Sequence, residues 1–110
     1  EMAQKIIDGA RLGPFFKHVL TESSIIKRKP DPEVYKLAAN RVRVNNKDLV
    51  IHEDSPTGVR AAKAAGSPVA AFPVHDKLIF EPSPDAIFMS WKNLDPREVM
   101  ELLLSKKEVK

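Results

Sequence analysis

Hydrophobic side chains recur along this chain at two alternating spacings. Steps of three and four residues predict four helices, which begin near Met2, Pro32, Pro56 and Pro96. Short apolar or β-branched runs between the helices predict strands, at residues 18–21, 49–52, 69–74 and 85–88. This alternation predicts an α/β fold in which helices cover a mostly parallel sheet.

The two middle helices have the clearest predicted boundaries. Asp31 can accept a hydrogen bond at the start of a helix over residues 32–42, whose first position suits proline. Ser55 precedes the next helix, and Gly66 ends it because glycine adopts left-handed dihedral angles without strain. The small side chains of this helix allow it to lie close to a sheet; they are Val59, Ala61, Ala62, Ala64 and Ala65.

Proline also bounds the two outer helices. The first is predicted to end at Gly13-Pro14, since proline cannot continue a helix. The last is predicted to begin at Asp95-Pro96. Its predicted inward side chains are Val99, Met100, Leu102 and Leu103, and the lysines at 106, 107 and 110 follow at the negative end of the helix dipole.

Composition narrows the class of protein. A chain of 110 residues with 43% hydrophobic residues suits one globular domain. The absence of cysteine excludes disulfides and thiolate chemistry and fits the reducing cytoplasm. No apolar run approaches the roughly 20 residues that cross a bilayer, so we expect a soluble protein without a membrane partner.

Charge gives little support to a nucleic-acid partner. Lysine and arginine total 18 against 15 acidic residues, a formal net charge of +3. The basic side chains that could contact phosphates are Lys27, Arg28, Arg41, Arg43 and the lysines near the end of the chain. They carry no interleaved aromatic side chains and no known binding motif, so we do not expect such a partner.

An acidic pair follows the predicted strand at residues 49–52. Ligands of open parallel sheets bind beyond the carboxyl ends of the strands, which is where Glu53 and Asp54 lie. Two adjacent carboxylates repel each other unless a cation or hydrogen-bond donors neutralise them, and hard oxygen ligands suit Mg²⁺. The alternative is that both acids serve only as solvated charge near a helix start.

Other candidate residues have equally plain alternatives. Lys29 lies just before a capped helix and could reach an anionic group, but as part of a basic cluster it could also be a solvated charge. His52 lies in an apolar strand and is predicted to be a core residue more readily than a base. Phe88 and Trp91 are predicted to belong to the core or its rim.

Two segments together resemble a known family. Lys-Pro-Asp-Pro-Glu-Val-Tyr occupies residues 29–35, and Leu-Val-Ile-His-Glu-Asp-Ser-Pro-Thr-Gly-Val-Arg-Ala-Ala occupies residues 49–62, with Ala-Ala-Gly at 64–66. They resemble the third and fourth motifs of the haloacid dehalogenase superfamily, in the branch of β-phosphoglucomutase and small sugar-phosphate phosphatases. The resemblance implies a Rossmann-like three-layer α/β sandwich.

The resemblance also implies a chemistry: Mg²⁺-dependent phosphoryl transfer to or from a small phosphorylated metabolite, through an aspartyl-phosphate. Carried over to this chain, Lys29 is the catalytic lysine that steadies the phosphate charge. Glu53 and Asp54 are the metal ligands, and Ser55 lies beside them near the phosphate. Physical chemistry agrees, because phosphoryl transfer depends mainly on neutralising charge around the transferred group.

The chain departs from the family pattern in one large respect. The family's nucleophile and its acid/base partner lie in an Asp-x-Asp motif, and no Asp-x-Asp occurs in these residues. We therefore expect residues 1–110 to be the carboxyl-terminal part of the core domain, without its first two core strands and its cap. Such a part should need its missing amino-terminal half or self-association to cover the open sheet. The alternative function is a non-catalytic interaction module that oligomerises through the incomplete sheet.

Overall fold

The computed structural model describes residues 2–11 and 17–105. Four α-helices and three strands alternate along most of this length. In chain order they are α1 (Met2–Gly9), α2 (Glu33–Val42), β1 (Ile51–Glu53), α3 (Pro56–Ala65), β2 (Val69–Ala71), β3 (Ala86–Ile87) and α4 (Pro96–Ser105). Two short 3-10 helices, Glu22–Ser24 and Asn46–Asp48, lie in the connections. None of the described helices is long and apolar enough to span a membrane.

The three strands form one parallel sheet in the order β1-β2-β3. Ile51 pairs with Val69, and Ala70 pairs with Ala86. One backbone hydrogen bond continues the first ladder past the strand ends, from the amide of Phe72 to the carbonyl of Glu53 at 2.7 Å. The sheet confirms the predicted parallel α/β fold, with strands shorter than the predicted apolar runs.

Helices cover both faces of the sheet and give three layers. On one face, α2 and α3 enclose a core cluster made of Ile51, Val59, Ala62, Val69 and Ala71. On the other face, α4 packs on a second cluster made of Ala70, Phe72, Val99 and Leu103. The central strand β2 is therefore buried on both sides, which explains its apolar sequence, whereas Ile87 of β3 is 53% exposed.

The ends of α3 lie where the sequence predicts them. Ser55 Oγ accepts a hydrogen bond from the amide of Gly58 at 3.1 Å and so caps the helix. Gly66 ends it with a left-handed φ of 88°. Ala61 and Ala62 are fully buried, as expected for a helix lying close to the sheet, whereas Ala64 faces solvent.

The helix α2 begins at Glu33, one residue after its predicted start. Asp31 does accept a hydrogen bond at this end, from the amide of Glu33 to Oδ1 at 2.9 Å. The predicted capping acid is therefore used, with Pro32 in the cap position itself.

The predicted strand at residues 18–21 is wrong. These residues form no regular element and run into the 3-10 helix Glu22–Ser24. The amide of Thr21 donates to Ser24 Oγ at 3.1 Å, and the amide of Ser24 donates to the Thr21 carbonyl at 2.9 Å. Hydrogen bonds within the segment thus replace the pairing of a strand, because no described strand pairs with these residues.

The predicted inward face of α4 is half right. Val99 and Leu103, four residues apart, are buried against the sheet. Met100 and Leu102 are 43% and 46% exposed, because α4 touches the sheet along a single narrow stripe and these two side chains flank it. Gly13-Pro14 and the lysines at 106, 107 and 110 lie outside the described residues.

Candidate functional site

The candidate residues lie at the carboxyl end of β1. Glu53 is the last residue of that strand, Asp54 follows it, and Ser55 caps α3. Lys29 comes from the turn before α2, and its Nζ lies 2.6 Å from Glu53 Oε2. The fold therefore brings together side chains that are 24 positions apart in sequence.

Glu53 is the centre of this arrangement. Its side chain is only 6% exposed. Oε2 accepts hydrogen bonds from Lys29 Nζ and from the hydroxyl of Tyr35, and Oε1 accepts one from the amide of Asp54 at 3.1 Å. A buried carboxylate is costly unless it is paired and hydrogen-bonded, and these three donors meet that requirement.

Gly58 makes room for this carboxylate. A Cβ atom at residue 58 would lie 1.9 Å from the carboxyl carbon of Glu53 and 2.0 Å from Oε1, far inside any allowed contact. The first turn of α3 must therefore carry glycine for Glu53 to occupy its position. Ser55 contributes through the same turn, because its Oγ holds the amide of Gly58.

Tyr35 is a member of the site that sequence reasoning missed. It lies in the first turn of α2 and donates its hydroxyl proton to Glu53 Oε2. Lys29 Nζ lies 5.2 Å from the centre of its ring, within cation–π range. The available signal was a tyrosine on the inward side of α2, since a partly buried phenol needs a polar partner.

The pKa values of Glu53 and Tyr35 are shifted in opposite directions. Burial alone would raise the pKa of Glu53, but the hydrogen bonds from Lys29 and Tyr35 and the charge of Lys29 outweigh burial and hold the pKa below its usual value. Burial, together with the hydrogen bond to Glu53 and the charges of Glu53 and Asp54, raises the pKa of Tyr35. At neutral pH, Glu53 is therefore an anion that accepts and Tyr35 is a neutral donor.

Glu33, also missed from the sequence, holds the loop that leads to Lys29. Its carboxylate accepts the amide of Ile26 on Oε1 and the amide of Lys27 on Oε2, both at 2.8 Å. The amide of Asp31 donates to the carbonyl of Arg28 at 3.0 Å and closes the turn around Lys29. The partners of Glu33 are backbone groups, so no residue pattern could have revealed them.

The donor set of the acid pair fits a hard cation. Asp54 is exposed and follows the buried carboxylate of Glu53, so two carboxylates lie next to each other in sequence at the strand end. Mg²⁺ takes six oxygen ligands and keeps several waters. Within residues 2–11 and 17–105, no cluster of three or more potential metal ligands occurs. The two acids are therefore too few to form such a coordination shell by themselves.

An aromatic group borders the charged residues. His52 lies 5.3 Å from Phe72 and 5.4 Å from Trp91, measured between ring centres. Phe72 and Trp91 stack at 3.6 Å with an angle of 4°. Burial lowers the pKa of His52, which favours its neutral form. The histidine is thus half-buried among rings, close to its predicted core role.

Comparison with known proteins identifies the class to which this fold and site belong. The sequence profile of the haloacid dehalogenase-like hydrolases matches residues 1–72, from α1 through β2 and the acid pair. The chain belongs to this family. The structural neighbours agree on the fold. A β-phosphoglucomutase from Clostridium difficile aligns with a TM-score of 0.80 over 96% of this chain and 46% of that one, at 16% identity.

Relatives with higher identity include phosphatases and a mutase. A phosphorylated carbohydrates phosphatase from Thermotoga maritima is 40% identical over 55 residues, which cover 50% of this chain and 26% of the phosphatase. A phosphoglycolate phosphatase from Salmonella typhi is 27% identical over 94 residues, covering 83% of this chain and 37% of the phosphatase. The structure of a putative β-phosphoglucomutase from Thermotoga maritima aligns with a TM-score of 0.69 and 29% identity over 99% of this chain and 48% of that one. The chain thus spans less than half the length of these relatives.

Proposed function

We propose that this chain is the part of a Mg²⁺-dependent phosphoryl-transfer enzyme that holds the metal and the catalytic lysine. The enzyme would be a phosphatase or a phosphomutase acting through an aspartyl-phosphate. The observation that carries the proposal is the 2.6 Å contact between Lys29 Nζ and Glu53, next to Asp54 at the carboxyl end of a parallel strand. Membership of a hydrolase family supports it.

Lys29 would stabilise negative charge on the phosphoryl group. Its side chain is 39% exposed, so the ammonium can contact a ligand while it remains bound to Glu53. A transferred phosphoryl group carries its charge on equatorial oxygens, and a fixed cation beside it lowers the barrier without a proton transfer. The hydrogen bond to Glu53 and the ring of Tyr35 hold the lysine in place.

Glu53 and Asp54 would bind Mg²⁺. The ion, when bound, supplies positive charge that stabilises the phosphate oxygens during transfer. The two carboxylates fit it because both are hard oxygen donors and because Glu53 is held in its ionised form. The remaining ligands would be water, the substrate phosphate and residues outside this chain. Ser55 would keep its neighbouring acids in position through its bond to Gly58.

The nucleophile would come from outside these 110 residues, which contain no Asp-x-Asp. Relatives named for phosphorylated carbohydrates and phosphoglycolate, and a structural neighbour in complex with xylulose bisphosphate, support a small phosphorylated metabolite as substrate. A cytoplasmic location is part of this proposal, and the absence of cysteine from these 110 residues suits a reducing compartment.

Complementation tests this function. The chain is incubated with p-nitrophenyl phosphate and Mg²⁺, alone and after co-expression with the portion of the Thermotoga maritima mutase that this chain does not cover. We expect hydrolysis only from the combination, and we expect Lys29→Met or Asp54→Asn in this chain to abolish it. Hydrolysis by the chain alone would contradict the missing nucleophile. A stable but inactive combination would contradict the enzymatic role.

One observation favours a second candidate, a non-catalytic module that self-associates through its sheet. Among the described residues, no strand pairs with the outer edge of β1. An open edge offers backbone donors and acceptors to another chain. Light scattering coupled to size-exclusion chromatography would show a stable dimer or larger oligomer in this case, and added Mg²⁺ and phosphate would not change it.

A further inference from the structure

One cleft contains both the charged groups and the aromatic rings. Its lining residues are Lys29, His52, Glu53, Asp54, Phe72 and Trp91, and its volume is about 390 Å³. Pockets that bind small molecules have volumes of roughly 300–1,000 Å³ and combine apolar walls with a few polar groups. The cleft therefore has room for more than a phosphate group, and the additional surface is aromatic.

Trp91 is the exposed member of this aromatic surface. One face of its indole lies on Phe72 in a parallel stack, and Phe72 itself is buried in the core. Trp91 is nevertheless 57% exposed. Contact between this large apolar surface and water is unfavourable, and burial in the core would have avoided it. More than half of the surface of Trp91 is thus left uncovered, and another ring can stack there.

Two neighbouring rings lie against the indole. Phe72 supports its inner face, and His52 contacts it at 5.4 Å with a tilt of 40°. These supports come from two neighbouring strand ends, because His52 lies in β1 and Phe72 directly follows β2. A side chain that is already packed on one face loses less conformational entropy when a ligand stacks on it than a fully solvated one.

We propose that Trp91 is the stacking platform for a planar heteroaromatic ring in the substrate, whose phosphate end lies at Lys29 and Asp54. The placement of the phosphate rests on the proposed function, whereas the ring site rests on the geometry of Trp91, Phe72 and His52. The substrate class is then a phosphorylated metabolite whose organic part contains a ring like a nucleobase. Bases stack on aromatic side chains with little regard to their substituents, so the platform defines a class of ring.

A matched pair of ligands tests the ring site. Uridine 5′-monophosphate and ribose 5-phosphate differ by the base alone, and Trp91 is the single tryptophan of the chain, so its fluorescence reports directly on stacking. In the presence of Mg²⁺, the full chain should bind the nucleotide at least about fivefold more tightly than the sugar phosphate by calorimetry. The nucleotide should quench the fluorescence of Trp91, and the sugar phosphate should not. Equal affinities, or no binding of either ligand, would overturn the ring site.

Two substitutions at residue 91 separate stacking from folding. Trp91→Leu should lower the affinity for the nucleotide to that for the sugar phosphate and leave the latter unchanged. Trp91→Phe should restore much of the difference, because phenylalanine retains a stacking face. Loss of both affinities in Trp91→Leu, with Trp91→Phe giving no rescue, would overturn the proposal and assign Trp91 a structural role.

Lys29→Met distinguishes failure of the ring site from failure of the proposed function. If both ideas are right, this change weakens both ligands by the same factor and keeps the preference for the nucleotide. If it weakens neither ligand while the preference persists, the phosphate site of the proposed function is wrong and the ring site stands. If it weakens both ligands and no preference is present, the ring site is wrong and the phosphate site stands.

Discussion

Gly58 lies directly against the carboxylate of Glu53, and the space of one missing methyl group allows the acid to reach Lys29. Gly58→Ala should therefore push the Glu53 side chain away from its donors. We expect the free energy of unfolding to fall by about 1–3 kcal/mol, as for other overpacked sites. Urea denaturation would measure this change. Thr57→Ala in the same turn is exposed and serves as the control, and equal stability of the two variants would contradict the close approach.

Tyr35→Phe should weaken the site without changing its shape. The substitution removes the hydroxyl that donates to Glu53 Oε2 and leaves the ring beneath Lys29. We expect a loss of about 1–3 kcal/mol, typical of a hydrogen bond to a buried charge. A double-mutant cycle with Glu53→Gln would measure the coupling between the two side chains. Simple additivity of the two substitutions would show that the hydroxyl does not act through Glu53.

The lowered pKa of Glu53 predicts a specific loss of stability in acid. A folded-state pKa below the unfolded value of about 4.3 stabilises the fold above that pH, and the contribution disappears as pH falls through the folded pKa. Urea midpoints of the chain and of Glu53→Gln should differ at pH 7 and converge below about pH 4. A difference that stays constant across this range would show that Glu53 does not have the lowered pKa.

Glu33 should order the loop that presents Lys29. Glu33→Ala removes the acceptor for the amides of Ile26 and Lys27, and hydrogen exchange at those two amides should become about fivefold faster or more, as for the loss of a hydrogen bond of roughly 1 kcal/mol. Glu33→Gln retains one acceptor oxygen and should give partial protection. Lys36→Ala, on the exposed side of α2, is the matched control and should leave both exchange rates unchanged.

Replacing both acids should remove Mg²⁺ binding. The double variant Glu53→Gln, Asp54→Asn keeps the side-chain shapes and removes both charges, so calorimetric titration with MgCl₂ should give no heat of binding. Asp76→Asn removes an exposed loop acid elsewhere and should bind the ion like the unchanged chain. Unchanged affinity in the double variant would show that the ion binds at another place.

The sequence predicted features set by local rules. The cap at Ser55, the left-handed Gly66 and the acids at the end of β1 follow from short-range preferences and from the position of strand ends. It did not predict the bonds that Tyr35 and Glu33 make, because those depend on how α2 lies against its neighbours.

The strand predicted at residues 18–21 failed for a related reason. β-leaning residues form a strand only beside a partner, and pairing is a property of the assembled sheet that no local pattern carries. The misplaced Met100 and Leu102 show the same limit, since the width of the buried stripe on α4 depends on the shape of the sheet below it.

The two fully buried alanines of α3 have a consequence for how the site can vary. Ala61 and Ala62 allow the helix to lie so low that its first turn meets the last residue of β1. A larger side chain at residue 62, which belongs to the cluster between α3 and the sheet, should push the helix away from β1 and move its first turn off the Glu53 carboxylate. Side-chain volume in the interior, one turn from the cleft, therefore limits how closely α3 can approach the buried carboxylate.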